Sequence, residues 1–185
     1  MGRKRILWIT ETAVFIALLV SLQAVTRPLG QFVTGSCVNF MLIASCVLVG
    51  LHSAAIVAVV SPLFAFLIIG VPAFPVLVPI VIAGNLVLVV AIHYISGKSF
   101  TDLNRRSLIR ICPAVAIGAI LKFLVLWVGI VQIALSFVPN IKQPQIDAMS
   151  LAFSWPQLIT AVIGSSLAII IIPRLMKALK FLDRG

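Results

Sequence analysis

The sequence predicts an all-α integral membrane protein, a bundle of six transmembrane helices with both termini in the cytoplasm. Three observations carry the prediction. Of 185 residues, 62% are hydrophobic and only 10% are charged, against about 25% charged in an ordinary soluble domain. The apolar residues fall into six runs, each near the length that crosses a hydrocarbon core of about 30 Å at about 1.5 Å per residue. Basic residues gather at alternate ends of those runs, the pattern of the positive-inside rule. One membrane domain over 1–185 is expected, because the longest polar stretch, 96–110, is too short to fold alone.

The first span covers 6–26. Its core, ILWITETAVFIALLVSLQA, is fenced by Arg3, Lys4 and Arg5 before it and by Arg27 and Pro28 after it. Ala13, Ala17 and Ser21 stand at i, i+4 and i+8, and Ala24 follows, so small side chains share one helix face. Such a face lets a second helix approach closely, which is how helices associate in lipid. It packs either on the chain's own neighbours or on a partner subunit. The second span, 34–51, runs almost directly into the third, 53–70, through Gly50, Leu51 and His52, and Pro62 lies inside the third. The fourth span covers 75–96, the fifth 111–137 and the sixth 154–175.

Fourteen basic residues against four acidic ones leave a net charge of +10, but their positions exclude nucleic acid as the partner. Eleven lie in three clusters that flank apolar spans: Arg3, Lys4, Arg5; Lys98, Arg105, Arg106, Arg110; and Arg174, Lys177, Lys180, Arg184. Anionic lipid headgroups are their natural partners. With these clusters in the cytoplasm, the outside receives segments 27–33, 71–74 and 138–153, where only Arg27 and Lys142 are basic. Pro28, Pro72, Pro75, Pro139, Pro144 and Pro156, with Gly30, Gly35 and Gly70, stop helices and fix turns on that side. Segment 138–155 is read as the longest outer loop, with hydrogen-bonding capacity in Asn140, Gln143, Gln145 and Asp147. Together the outer segments are expected to form a lid over a small-molecule site.

Lys122 is the most informative residue. It lies near the middle of the fifth span, where an ammonium costs at least about 2.5–3.5 kcal/mol on insertion scales and is too deep to snorkel to an interface. It faces a cavity, a ligand or an internal partner, and carboxylates for an internal pair are scarce. Gly118 and Gly129 share its face and imply room beside the charge. Asn85 in the fourth span, Gln23 in the first, Asn39 in the second, Gln132 in the fifth and Gln157 and Thr160 in the sixth are amides and a hydroxyl inside apolar spans. Most fall in the outer half. Taken singly, each reads as an interhelical hydrogen bond; together with Lys122 and the rim residue Arg27 they suit a small polar organic ligand. Trp127 either stacks on that ligand or packs, Trp155 reads as an interfacial belt residue and Trp8 as an anchor at the inner interface.

Cys37, Cys46 and Cys112 lack metal-ligand spacing and read as free thiols. The N-terminus is read as a retained first span rather than a cleaved signal, and Gly2 does not open a myristoylation pattern. There is no Walker A sequence, no GxSxG, no HExxH and no paired acids. No catalytic residue, metal or cofactor is expected.

Size, six spans, cytoplasmic termini, the AVFIA element from Ala13 to Ala17 and the stretch LQAVTRPLGQFVTGSCVN at 22–39 together resemble the substrate-binding (S) component of energy-coupling factor (ECF) transporters, the vitamin importers of prokaryotes. The resemblance covers nearly the whole chain. It implies a vitamin held in the outer half of the bundle under the outer loops. It also implies docking through Ala13, Ala17 and Ser21 on a membrane scaffold (T) subunit, and ATP hydrolysis by two cytoplasmic ATPase subunits. Lys122 and Arg27 favour a carboxylate-bearing vitamin, pantothenate first, with folate, niacin, biotin, queuosine precursors and cobalamin as alternatives. A stand-alone small secondary transporter, a membrane enzyme acting on lipid headgroups and a purely structural subunit are the competing readings.

Overall fold

Every helix in this chain must find its apolar partners among other helices, because the sequence offers no strand-like alternation. In the computed structural model the chain is 90% helical, with no strand among the described residues. Those residues are 2–97, 99–101, 104–139 and 141–182, with the side chains at 101 and 179–182 set aside. The long helices are α1 (Arg3–Thr26), α2 (Gln31–Leu48), α3 (Leu51–Phe64), α4 (Val78–Ala91), α5 (Arg105–Leu126) and α7 (Pro156–Leu182). A short α6 (Gln143–Ala152) precedes α7. With their extensions, six helical segments are long and apolar enough to cross a membrane.

The helices alternate in direction, so all their ends gather at two poles. One pole carries Arg3, Arg5, Arg105, Arg106, Arg110, Arg174 and Lys177, and the other carries the proline-rich connections. At the basic pole, α2 turns into α3 at Gly50, whose φ of +119° suits only glycine. The join is therefore a tight turn at Val49 and Gly50, and α3 begins at once with Leu51. At the proline-rich pole Gly30 and Gly70 also have positive φ. Three helices widen there or near their ends into π-helical turns: α3 at Ala65–Ile69, α4 at Ile92–Ser96 and α5 at Trp127–Ile133. Pro62 inside α3 removes the donor for the Ala58 carbonyl, and the π turn follows it.

Helix α2 is central. It packs on α1, α3, α4 and α7, and its stretch from Asn39 to Cys46 is buried except at Phe40. A helix that is apolar all round belongs inside a bundle. Its closest partner is α7. A Cβ at Gly164 would stand 2.7 Å from the Ser36 carbonyl oxygen and 2.8 Å from the Phe40 nitrogen, and one at Gly35 would stand 2.9 Å from Thr160 Cγ2. The main apolar core, built around Leu42, Val57, Leu88, Ile111 and Ile172, fills the half of the bundle toward the basic pole. Phe100, fully buried in the short turn after α4, belongs to this core and anchors a connection whose composition reads as polar. A smaller cluster of Leu77, Leu126, Ile130 and Leu135 packs beneath α6 at the other pole.

Three expectations need correction. Segment 138–155 is not a loop: α6 occupies most of it. Lys142 caps α6, its backbone N–H donates to Gln145 Oε1, and Gln143 Nε2 donates to Asp147 Oδ1 at 2.9 Å. Those polar side chains serve the helix itself, and Asn140 lies outside the described residues. Gly118 and Gly129 do not leave room beside Lys122. Leu88 and Ile80 of the α4 segment press against them, and Leu126 presses back against Gly84. The glycines are how α4 and α5 come together. The helix bounds also differ. α2 starts at Gln31, α5 at Arg105 behind an Asn104 cap that accepts from the Ser107 N–H, and α7 runs on to Leu182.

Candidate functional site

Lys122 is 4% exposed and its ammonium is held by two neutral amides. It donates to Asn39 Oδ1 at 2.6 Å and to Asn85 Oδ1 at 2.8 Å. Neither described acid is its partner: Asp147 accepts from Gln143 on the surface, and Glu11 lies two turns into α1 from the basic pole. The amides come from different helices, α2 and α4, and the glycine-to-leucine packing of α4 on α5 sets their reach. Asn39 is fully buried, and its Nδ2 donates on to Thr160 Oγ1 at 3.3 Å. Thr160 donates in turn to the Gln157 carbonyl at 3.1 Å. A directed chain of hydrogen bonds thus runs from α5 through α2 to α7, with a single positive charge at its head. Buried polar networks of this kind fix a unique arrangement when fully satisfied.

Above the lysine, toward the proline-rich pole, lies a cavity of about 110 Å³, counted as space open to the centre of a water molecule. On that measure roughly 10–15 Å³ admits one water, so the space takes a small organic molecule or several waters. Its polar lining is Gln23, Gln31, Thr34, Asn85, Lys122 and Gln157. Val38, Pro62, Ala65, Val81, Leu126 and Phe153 supply most of the apolar wall. Pro72, buried and following a cis peptide bond, closes one side together with Val71. The lining comes from α1, α2, α3, α4, α5 and α7, so all six long helices contribute to one space. Gln23 Oε1 and Thr34 Oγ1 are buried without a hydrogen-bond partner. Native interiors leave few such atoms; of the four among the described residues, these two border the cavity, while Ser61 Oγ and Ser165 Oγ belong to residues outside its lining.

The sequence-derived residues sort as follows. Lys122, Asn85, Gln23 and Gln157 line the cavity, and Asn39 holds Lys122 from behind. Arg27 is exposed and its guanidinium donates to the Ile69 carbonyl, tying the end of α1 to the end of α3 beside Val71. Trp127 is stacked on Phe123, with ring centroids 6.2 Å apart, and does not line the cavity. Gln132 is exposed away from it. Trp155 is exposed against Phe32. Gln31, Thr34 and the buried Pro72 are cavity residues that the sequence reading passed over. A position one turn inside a helix that follows a glycine stop is the signal that marks Thr34.

The face of Ala13, Ala17, Ser21 and Ala24 is exposed along its whole length. Only 11% of the most apolar stretch of α1 is buried, against 44% for α2 and for α4 with its flanking turns. The helix therefore sits at the bundle's edge with its small-residue ridge turned outward. Comparison with known proteins brings no matching family model, curated protein or solved structure.

Proposed function

We propose that this chain is the high-affinity, membrane-embedded substrate-binding (S) component of an ECF-type ABC importer in a prokaryotic cell membrane. Its cargo is a vitamin or related micronutrient, with a carboxylate-bearing vitamin such as pantothenate favoured. Both termini lie in the cytoplasm and the proline-rich pole faces outward. A membrane scaffold subunit docks on α1 at Ala13, Ala17 and Ser21, and two cytoplasmic ATPases supply the energy. The observation that carries this reading is the asymmetry of the bundle. One half is filled by apolar side chains, and the other holds a polar cavity with a buried lysine at its floor. A ligand site lined by apolar walls and a few placed polar groups has this form. The outward ridge of α1 supplies a surface on which a partner helix can lie close.

The test is affinity purification of the tagged chain from its native membrane, paired with uptake of labelled vitamin. The expected result is recovery of a membrane scaffold subunit with two ATPases, and uptake that stops when the ATPases are inactivated. Uptake by the chain alone, without an ATPase, would replace this reading with a stand-alone secondary transporter.

A further inference from the structure

We propose that the cavity selects a small monocarboxylate whose far end carries a hydrogen-bond donor, the carboxylate resting between Lys122 and Asn85 and the donor on Gln23. The proposal rests on the reading of the cavity as the substrate site. An ammonium has three N–H donors and no acceptor. Lys122 gives one to Asn39 Oδ1 and one to Asn85 Oδ1, which leaves one. Because a lysine can only donate, both amides must turn their oxygen toward it and their nitrogen away. The Asn39 nitrogen goes to Thr160. Among the described residues the Asn85 nitrogen has no partner, and Asn85 borders the cavity. One cationic donor and one amide donor therefore remain for whatever fills the space. The complement to two donors and one positive charge is a carboxylate, whose two oxygens only accept.

The number of charges is limited in the same way. Among the described residues no second cation lines the cavity, and the Arg27 guanidinium is engaged outside it. A phosphate dianion would bury a second charge without a partner, and that desolvation has nothing to offset it. The site thus distinguishes an unphosphorylated acid from its phosphate ester. Elsewhere in the lining, Gln23 Oε1 is buried and without a partner among the described residues; an amide oxygen accepts, so a ligand N–H or O–H placed there satisfies it. Thr34 Oγ1, also buried and without a partner among the described residues, borders the same cavity and can donate or accept. The apolar wall includes Val38, Val81, Leu126 and Phe153, which suits an aliphatic or small-ring spacer.

The experiment is binding to the purified full chain in detergent by calorimetry and thermal shift. The probes are pantothenate and biotin, which carry a carboxylate and N–H or O–H donors, and their neutral counterparts panthenol and biotinamide. Nicotinate serves as a carboxylate without a donor, 4′-phosphopantothenate as the phosphate ester, and thiamine and riboflavin as vitamins of other charge. The expected result is saturable binding of pantothenate or biotin, with the neutral counterpart at least about 30-fold weaker, the scale set by losing one partner of a desolvated charge pair. Nicotinate and the phosphate ester should bind more weakly still. Lys122→Met should erase the difference between acid and neutral counterpart. Gln23→Leu, remote from the buried network, should weaken the donor-bearing acid and leave nicotinate unchanged. Binding of neither acid, or equal binding of a neutral counterpart, overturns the proposal. Saturation by thiamine or riboflavin overturns this ligand class and leaves the importer reading standing. An acid that binds as stated to a chain that neither assembles with nor needs an ATPase leaves the ligand class standing and removes the importer reading.

Discussion

At the scale of single residues, Lys122 changes meaning once its partners are known. The sequence offers a buried cation short of carboxylates; the structure answers with two amide oxygens rather than an acid. Removing the lysine therefore has two opposing effects. The cost of burying a charge disappears, but Asn39 and Asn85 each keep a buried oxygen without a donor, at about 1–3 kcal/mol apiece. Lys122→Met is expected to lower the ligand-free melting temperature, and the triple variant Lys122→Met, Asn39→Leu, Asn85→Leu to recover most of it, since replacing all partners together leaves no orphan. A thermal melt series of the single, double and triple variants checks this. A triple variant that melts no higher than Lys122→Met would mean that the amides are stabilised by something other than the lysine. Gly164 gives a second residue-scale expectation. A methyl there meets backbone atoms of α2, which cannot rotate away. Gly164→Ala should cost about 1–3 kcal/mol as an overpacked contact, whereas Ala at Gly2, where nothing lies within 4 Å, should leave the melt unchanged.

At the scale of elements, α1 does two things on two faces. Its buried side ties into the bundle through Leu19 and through Thr12, whose hydroxyl donates to Ser53 Oγ at 2.8 Å. Its outward side is the ridge of Ala13, Ala17 and Ser21. Because that ridge is exposed among the described residues, Ala17→Leu should leave the melting temperature and ligand affinity of the isolated protein unchanged. Under the proposed function it should abolish uptake by holding a partner helix away. Loss of ligand binding in the purified variant would show the ridge to be part of the ligand site instead. The existence and order of the long helices were legible from the length and hydropathy of the apolar runs. Helix α6 was not, because its ten residues span fewer than three turns, with Pro144 and four polar side chains among them, and the apolar pair at helical spacing, Ile146 and Met149, is too short a signal to stand out. The cavity was half legible. Polar residues in apolar runs announce themselves singly, but which of them meet depends on helix rotation. Rotation here is set by glycine contacts such as Gly84 on Leu126 and Gly35 on Thr160, which have no signature in a single sequence. For that reason Asn39, Asn85 and Lys122 converge while Trp127 stacks on Phe123 and Gln132, farther along the same helical segment, is exposed.

At the scale of the whole molecule, the proposed function turns on which pole faces the cytoplasm. The cavity lies toward the proline-rich pole, and Arg3, Arg5, Arg105, Arg106, Arg110, Arg174 and Lys177 belong to the other. Under the proposed function, the positive-inside rule puts the cavity's mouth outside, because Lys and Arg near span ends are retained on the cytoplasmic face. Two exposed positions make the orientation measurable: His52 in the first turn of α3 at the basic pole and Gln145 on α6 at the proline-rich pole. The three native thiols can first be replaced by alanine or serine. Cys112 is exposed, Cys37 half-buried and Cys46 buried with only a long contact of 3.8 Å to the Val89 carbonyl, so none is a structural linchpin. A cysteine at Gln145 (Gln145→Cys) is expected to react with a membrane-impermeant maleimide on intact cells, and saturating ligand is expected to slow that reaction if α6 covers the cavity. His52→Cys should react only after the membrane is opened. The reverse pattern would put the mouth of the cavity in the cytoplasm. A binding site that opens inward cannot capture a nutrient from outside, so that single result would end the importer reading while leaving the chemistry of Lys122 and its amides intact.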